Sequence, residues 1–480
     1  MSRQLNFNIK MKTQIYYIAL LLLLTVFTAC NVSKDIETPT DAVPLAYRNA
    51  ITTDTTNIGS LEWKQFFTEE SLVQLIDSAV VRNNDLQIAQ KNIEAANWQL
   101  KQSKWNNVPE LNLQVGASSS NPSDNSFNGQ NLAALSGQKH IDDYNAAIGL
   151  SWEADIWGKI RSQKKEALAR YLQTTEAKKA LQTTIVATVS KGYYNLLMLD
   201  AQLAIAKKNL ALNDSTLFVI KLQYDSGQVT SLGIQQAEAQ RFVAAQLIPQ
   251  LEREINIQET TLSLLAGTFP GAKKRAANIN SIVLHEEAAA GIPSKLLSGR
   301  PDVKNAEHQL QAANARTGIA KAGMYPALNI TASAGLNTFE ISNWFTMPAS
   351  LFGTIAGSLT QPLLQKRKLK SQYEIAKIER EKAVIGFRQT VLVAVGEVSD
   401  ALVSTEKLKL QQSIVSSRVV TLQLAVKNAN MLFKNGMANY LEVITAQGNL
   451  LQSELELASL KRARLNADVE LYRALGGGWK

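Results

Sequence analysis

Four stretches of the chain alternate between apolar and small polar residues. Leu111, Leu113, Val115 and Ala117 share one face of the first, and Tyr144, Ala146, Ile148, Leu150 and Trp152 share one face of the second. The alternation returns as Leu328, Ile330, Ala332, Ala334 and Leu336, then as Leu351, Gly353, Ile355, Gly357 and Leu359. Period-two patterning over about 9 to 11 residues, with Asn, Gln, Ser and Thr between the apolar positions, predicts strands that face lipid on one side. Four such strands cannot close alone, and an open sheet edge is not tolerated in lipid, so several chains must share one barrel. Three chains would supply twelve strands. The connections 118–142 and 337–349 are rich in Asn, Ser and Gly and are read as loops.

Helical patterning dominates the rest. From 155 to 223 there is no proline, and an unbroken helix of that length would reach on the order of 100 Å. Val189, Leu196, Leu203, Leu210, Leu217 and Tyr224 recur every seventh position as a coiled-coil seam. Met198, Ile205, Leu212 and Val219 form a second stripe on nearly the opposite side. A helix with two sticky sides has two neighbours, so the pattern predicts a palisade that closes into a tube.

The pattern also occurs twice. "WEADIWGKIR" from Trp152 and "QPLLQKRKLK" from Gln361 each end a strand and open a long charged helix. The matched turns "YDSGQVT" at Tyr224 and "FKNGMAN" at Phe433 keep the same offset of 209 residues. The predicted unit reads helix, strand, loop, strand, helix, tight turn, helix.

Composition adds an address. An almost uncharged run from Ile15 to Phe27 follows Lys10 and Lys12, too short for a membrane span and suited to a signal-peptide core. Small residues Thr28 and Ala29 precede Cys30, the one cysteine in the chain, in a pattern similar to the lipobox of bacterial lipoproteins. Cys30 is therefore read as a lipidation site, with an ordinary signal and an incidental cysteine as the alternative. The net charge of +9 falls to about +6 once Arg3, Lys10 and Lys12 leave with the signal. The remaining cations are dispersed, with no zinc-finger spacing or aromatic-interleaved basic motif, so no nucleic-acid partner is expected. The densest basic run, Lys366, Arg367, Lys368 and Lys370, reads as a solvated helix end, with lipid-headgroup contact as the alternative. His140, His285 and His308 are scattered and suggest no metal site, and no nucleophile and base fall into a catalytic arrangement.

Three segments carry a family resemblance. "LLSGRPDVKNAEHQLQAANARTGIAKAGMYPALNI", 296–330, is similar to the signature of the TolC/OprM-type outer-membrane efflux factors, NodT-like lipoprotein branch. Arg300, Pro301, Asp302, Ala306, Glu307, Leu310, Ala312, Ala313, Gly318 and Pro326 fall in place. "WKQFFTEESLVQLIDSAVVRNNDLQIA" from Trp63 resembles the family's opening helices, and "LLAGTFPG" its join into an equatorial region.

The resemblance implies a mainly α, mixed fold: four strands per chain in a trimeric twelve-stranded barrel, continued by a periplasmic helical tunnel. It implies an outer-membrane channel in a tripartite efflux system, with no catalytic residue and no cofactor. The partners would be two further copies, a periplasmic adaptor, an inner-membrane resistance-nodulation-division or ATP-driven transporter, and outer-membrane lipid. The expected layout is a signal at 1–29, an anchored segment at 30–62, a first repeat at 63–267, an equatorial segment at 268–300, a second repeat at 301–475 and a tail at 476–480. A lipoprotein scaffold or adhesin without transport is the alternative, but would not need four strands of barrel pattern.

By the same likeness the two tight turns form adaptor-docking tips: Tyr224, Ser226, Gly227 and Gln228 in one, Phe433, Asn435, Gly436 and Met437 in the other. Gly227 and Gly436 suit the positive φ that a helix reversal needs. A periplasmic gate is expected at Leu441, Glu442, Ile444 and Thr445. Three Glu442 side chains around one axis would repel one another and attract cations. Where the TolC pattern has further charged positions, this chain has Thr445, Gly233 and Ala438, so Leu441 and Ile444 would supply an apolar constriction instead.

Overall fold

The computed structural model describes residues 58–275, 278–284 and 299–480; the signal segment and Cys30 lie outside the described residues. The chain divides into two compact units. One, made of 95–171 and 308–384, holds a four-stranded antiparallel sheet in the order β1-β2-β3-β4, with β1 Glu110–Ser120, β2 Ile141–Ala154, β3 Ala327–Thr338 and β4 Leu351–Thr360. The other, made of 58–94, 172–307 and 385–480 as far as described, is helical.

Register puts every predicted apolar face on one side of the sheet. Leu111 pairs with Leu150, Leu150 with Ala332 and Ala332 with Ile355; Leu113, Ile148, Ala334 and Gly353 make the next row, and Val115, Ala146, Leu336 and Leu351 another. A slip of one residue would interleave apolar and polar positions across the sheet, so the pattern excludes every odd slip of the pairing. The apolar side is open: Leu113, Val115, Ile148, Ile355 and Leu359 are all exposed. On the other side Ser333 and Thr354 share a hydroxyl hydrogen bond of 2.8 Å. The outer edges of β1 and β4 have no strand partner among the described residues.

The predicted loop 118–142 is shorter than expected. Pairing runs on to Ser120 opposite Ile141, because ladder hydrogen bonds are made by backbone and do not need apolar side chains. Between the strands the chain forms a short helix, Phe127–Ser136.

In chain order the α-helices among the described residues are α1 Trp63–Phe66, α2 Glu70–Arg82, α3 Asn84–Trp105, α4 Phe127–Ser136, α5 Lys159–Asp225, α6 Ser231–Leu265, α7 Pro301–Ala322, α8 Lys368–Lys434 and α9 Tyr440–Ala474. The duplication is metric: α5 and α8 both have 67 residues, α6 and α9 both have 35, and every start and end is offset by 209. α5 begins at Lys159 rather than 155 because Asp155 serves as its cap. The carboxylate accepts the Ile160 and Arg161 N–H groups at 2.9 Å each, and Gly158 at φ 75° turns the chain into the helix.

The helical unit has a large core in which Val189 and Leu196 of the predicted seam and Met198 of the opposed stripe are all buried. One end of this core is an aromatic knot. Tyr472 stacks on Phe66 at 4.0 Å, meets Phe67 edge-on at 6.1 Å, and donates its hydroxyl proton to the Leu61 carbonyl at 2.8 Å. Among the described residues no helix is long and apolar enough to cross a membrane.

Candidate functional site

The two hairpin turns are built alike. Gly227 at φ 74° donates to the Tyr224 carbonyl at 2.9 Å, and Gln228 donates to Gln223 at 2.8 Å. Gly436 at φ 71° donates to Phe433 at 3.1 Å, and Met437 to Leu432 at 2.9 Å. Both are Schellman reversals, in which a left-handed residue lets two N–H groups satisfy the last helical carbonyls. The Ser226 hydroxyl and the Asn435 amide donate to the carbonyls four residues back, each at 2.9 Å. The outgoing helices differ: Asn439 accepts the Leu441 and Glu442 N–H groups, whereas Thr230 makes no side-chain cap.

Beneath the turns one apolar cluster draws on all four long helices. Leu217, Ile220, Ala237, Phe433 and Val443 are buried, with Ile234, Tyr440 and Ile444 packed against them. Gln447, also buried, donates to the Thr216 hydroxyl at 2.9 Å, and the ion pairs Lys221–Glu238 and Arg241–Asp214 tie α5 to α6 at 3.0 and 2.5 Å.

Tyr224, Ser226, Gly227, Gln228, Asn435, Gly436 and Met437 are exposed, as docking residues must be. Phe433 departs from that set. It is 5% exposed, and its ring fills the cluster between the hairpins, so it shapes the tip from within. Of the expected gate residues, Leu441, Glu442 and Thr445 are exposed, while Ile444 is half-buried against the cluster. Ile220, Val443 and Tyr440 are tip residues that sequence reasoning does not single out. The 209-residue offset, which pairs Ile234 with Val443 and Ser231 with Tyr440, is the signal that points to the last two.

The Arg300-Pro301-Asp302 segment lies in the same helical unit and does something different. Arg300 is 4% exposed; Nη2 meets Asp302 Oδ2 at 2.6 Å and Glu397 Oε2 at 2.7 Å, Nε donates to Asp302 Oδ1 at 3.0 Å, and Nη1 donates to the Ala474 carbonyl at 3.0 Å. It thereby caps the C-terminus of α9 while holding the first turn of α7, where Pro301 needs no N–H partner. Val303, one residue on, is buried with Ala394, Val398, Leu471 and Ala474. The network extends through Arg473, which bonds Glu397 at 2.9 Å and Glu470 at 2.7 Å, to Lys191 against Glu470.

Burial opposes ionisation of Asp302 and Glu397. The guanidinium bonds, from Arg300 to Asp302 and from Arg473 and Arg300 to Glu397, outweigh it and hold both carboxyls below their usual range. Burial, then the Arg473 charge, pushes the Lys191 ammonium down. Glu307 is half-buried further along α7. Among the described residues no group of three or more His, Cys, Asp or Glu could hold a metal ion.

A family model described as outer membrane efflux protein matches residues 75–268 and 292–477. The chain belongs to the outer membrane efflux protein family. Its two matched segments correspond to the two copies of the duplication. Among individual relatives it is 28% identical over 457 residues to the cation efflux system protein CusC of Escherichia coli O6:H1, covering 94% of this chain and 96% of CusC. It is 29% identical over 418 residues to the solvent efflux pump outer membrane protein SrpC of Pseudomonas putida, covering 87% of each. The crystal structure of the open state of the Neisseria gonorrhoeae MtrE outer membrane channel matches with a TM-score of 0.84 at 25% identity, over 94% of this chain and 99% of MtrE. This efflux protein is an outer-membrane channel component, and its fold is the mainly helical, four-stranded one of such channels.

Proposed function

We propose that three copies of this chain close a twelve-stranded barrel in the outer membrane and continue it as a helical duct, through which substrate passes without chemical change. The observation that carries the reading is the sheet: one side open and apolar, both outer edges unpaired among the described residues. In lipid such a sheet must find strand partners, and β1 of one copy against β4 of the next supplies them. The duct has no catalytic residue and no cofactor.

The exposed turn residues Tyr224, Ser226, Gly227, Gln228, Asn435, Gly436 and Met437 dock a periplasmic adaptor, with Phe433 supporting them from beneath. Leu441, Glu442, Ile444 and Thr445 form the gate, where three Glu442 carboxylates gather cations around the axis. Arg300, Pro301 and Asp302 lock the start of the second repeat to the end of α9, with Glu307 following on α7. Cys30 tethers segment 30–62 to the membrane after removal of 1–29; repeats at 63–267 and 301–475 flank an equatorial segment at 268–300, and 476–480 is a tail. An inner-membrane pump, of the resistance-nodulation-division or ATP-driven type, supplies energy and chooses the cargo. CusC and SrpC are named for cations and solvents yet are almost equally similar to this chain, which fits a conduit whose cargo is set elsewhere.

Light scattering of the mature protein from the outer-membrane fraction, with detergent mass subtracted, tests the assembly. Three chain masses support the shared barrel. A monomer that stays soluble without detergent overturns it.

A further inference from the structure

The duplication allows the two strand-to-helix junctions in the sheet-bearing unit to be compared position by position, and they have diverged. At the first, between β2 and α5, the side chains find their partners within the junction or on the connection that leads into β3. Asp155 caps α5, Lys159 pairs with Glu153 at 3.0 Å, and Trp157 stacks on Tyr325 at 4.8 Å while donating to the Pro326 carbonyl at 2.7 Å. Gly158 supplies the positive φ.

At the second junction, between β4 and α8, the lysine is kept as Lys368 but its partner and the other three residues are replaced at the 209-residue offset. Leu364 stands in place of Asp155, Pro362 of Glu153, Lys366 of Trp157 and Arg367 of Gly158. Lys366 and Arg367 nevertheless hold left-handed backbone, at φ 48° and 62°, a conformation that L residues with long side chains adopt at a cost. The first turn of α8 contains no acidic residue, and cations there oppose the helix dipole. Lys366, Arg367, Lys368 and Lys370 are all exposed and make no ion pair among the described residues. Directly before them Leu363 is 84% and Leu364 96% exposed. Two bare leucines beside four unpaired cations stabilise nothing inside this unit.

We propose that Leu363–Lys370 is a lipid-docking site: the leucines enter the hydrocarbon edge of the leaflet at the helix-bearing end of the sheet, and the four cations bind anionic phospholipid headgroups. Charge complementarity and continuity argue for this occupant. Leu351, Ile355 and Leu359 run along the open apolar side of β4, and Leu363 prolongs the same odd-numbered series past the end of the strand. Cations next to inserted apolar side chains are the usual means by which a protein grips an anionic leaflet. The inference rests on the outer-membrane reading above but goes beyond it, since a channel needs no headgroup preference.

Native mass spectrometry of the full-length protein, purified from membranes in mild detergent, tests it with added phosphatidylglycerol or phosphatidylethanolamine. The expected result is an assembled trimer that retains phosphatidylglycerol at least tenfold more strongly. Replacing Lys366, Arg367, Lys368 and Lys370 with Gln abolishes that preference. Arg367→Gly weakens it while leaving thermal stability unchanged or raised, which a purely structural role for Arg367 would not give. Equal retention of both lipids, or a preference untouched by the fourfold variant, overturns the proposal. A fourfold variant that falls apart into monomers also overturns it, because the patch then faces a second copy. A wild-type protein that is itself monomeric would instead overturn the shared barrel, so the two failures are distinguishable.

Discussion

Gly233 of α6 lies against the ring of Tyr440 of α9: a Cβ at position 233 would stand 3.2 Å from Cε1 and 3.3 Å from Cζ. The two hairpins therefore meet so closely at the tip that a methyl group would need the ring to give way by a few tenths of an ångström. Gly233→Val is expected to displace the ring and cost about 1–3 kcal/mol of local stability. Amide exchange should quicken around Ile220 and Val443 and stay unchanged near Tyr472. Unaltered exchange at the tip would show that the contact is slack.

Phe433 and Met437 offer a matched contrast. Phe433→Ala opens a cavity in the buried tip cluster and should destabilise it by about 3 kcal/mol. Met437→Ser, on a side chain that is 75% exposed, should leave stability within about 0.5 kcal/mol while weakening capture of the adaptor in pull-down from membranes. Equal thermal losses in the two variants would contradict the assignment.

At the turns, Gly227→Ala and Gly436→Ala are expected to cost about 1 kcal/mol each. A methyl group added at either position would meet nothing within 4 Å, so the penalty is that of the backbone alone. Asn, which tolerates the left-handed region, should cost less than Ala at both sites. Denaturation midpoints of the four variants decide the point, and Ala and Asn ranking the other way would refute it.

Arg300→Met leaves Asp302 without its cation and Glu397 with Arg473 alone. The expected cost is about 3 kcal/mol, the low end for a broken buried pair because both carboxylates reach solvent. Their folded-state pKa values are depressed, so the stability they contribute is present above the unfolded carboxylate range and is lost as pH falls through the folded values. Melts from pH 7 down to about 3 should therefore show wild type and variant converging as acidity rises. A gap that stays constant would mean that the ion pairs contribute nothing.

If three Glu442 carboxylates ring the duct, Glu442→Gln should lower cation over anion selectivity and weaken block by multivalent cations in planar bilayers. Unchanged selectivity would move the gate elsewhere.

The faces of the strands are legible in the sequence because a two-residue period excludes any slip by an odd number of residues, which would break apolar rows such as Leu111, Leu150, Ala332 and Ile355; which of the even registers forms is not legible there. The turns at Gly227 and Gly436 are legible because positive φ favours so few residue types. What stays hidden depends on distance along the chain. Nothing local to Arg300 points to Glu397 or to the Ala474 carbonyl, and nothing near Phe66 points to Tyr472. Phe433 and Tyr224 occupy equivalent positions in the repeat, yet one is buried and the other exposed, because only one aromatic side chain from that pair enters the space between the hairpins.

The equal lengths of α5 and α8, and of α6 and α9, restrict how such a chain can change over generations. A single inserted residue would turn everything beyond it by about 100° and advance it by about 1.5 Å. Partners met on one side would then be presented to the other, and the turn would no longer stand level with its twin. Substitution can proceed one side chain at a time, but a change in length must occur in both arms of a hairpin and in both copies together. Point mutation is therefore the accessible route to variation here, and insertions and deletions are expected to be confined to the connections between strands.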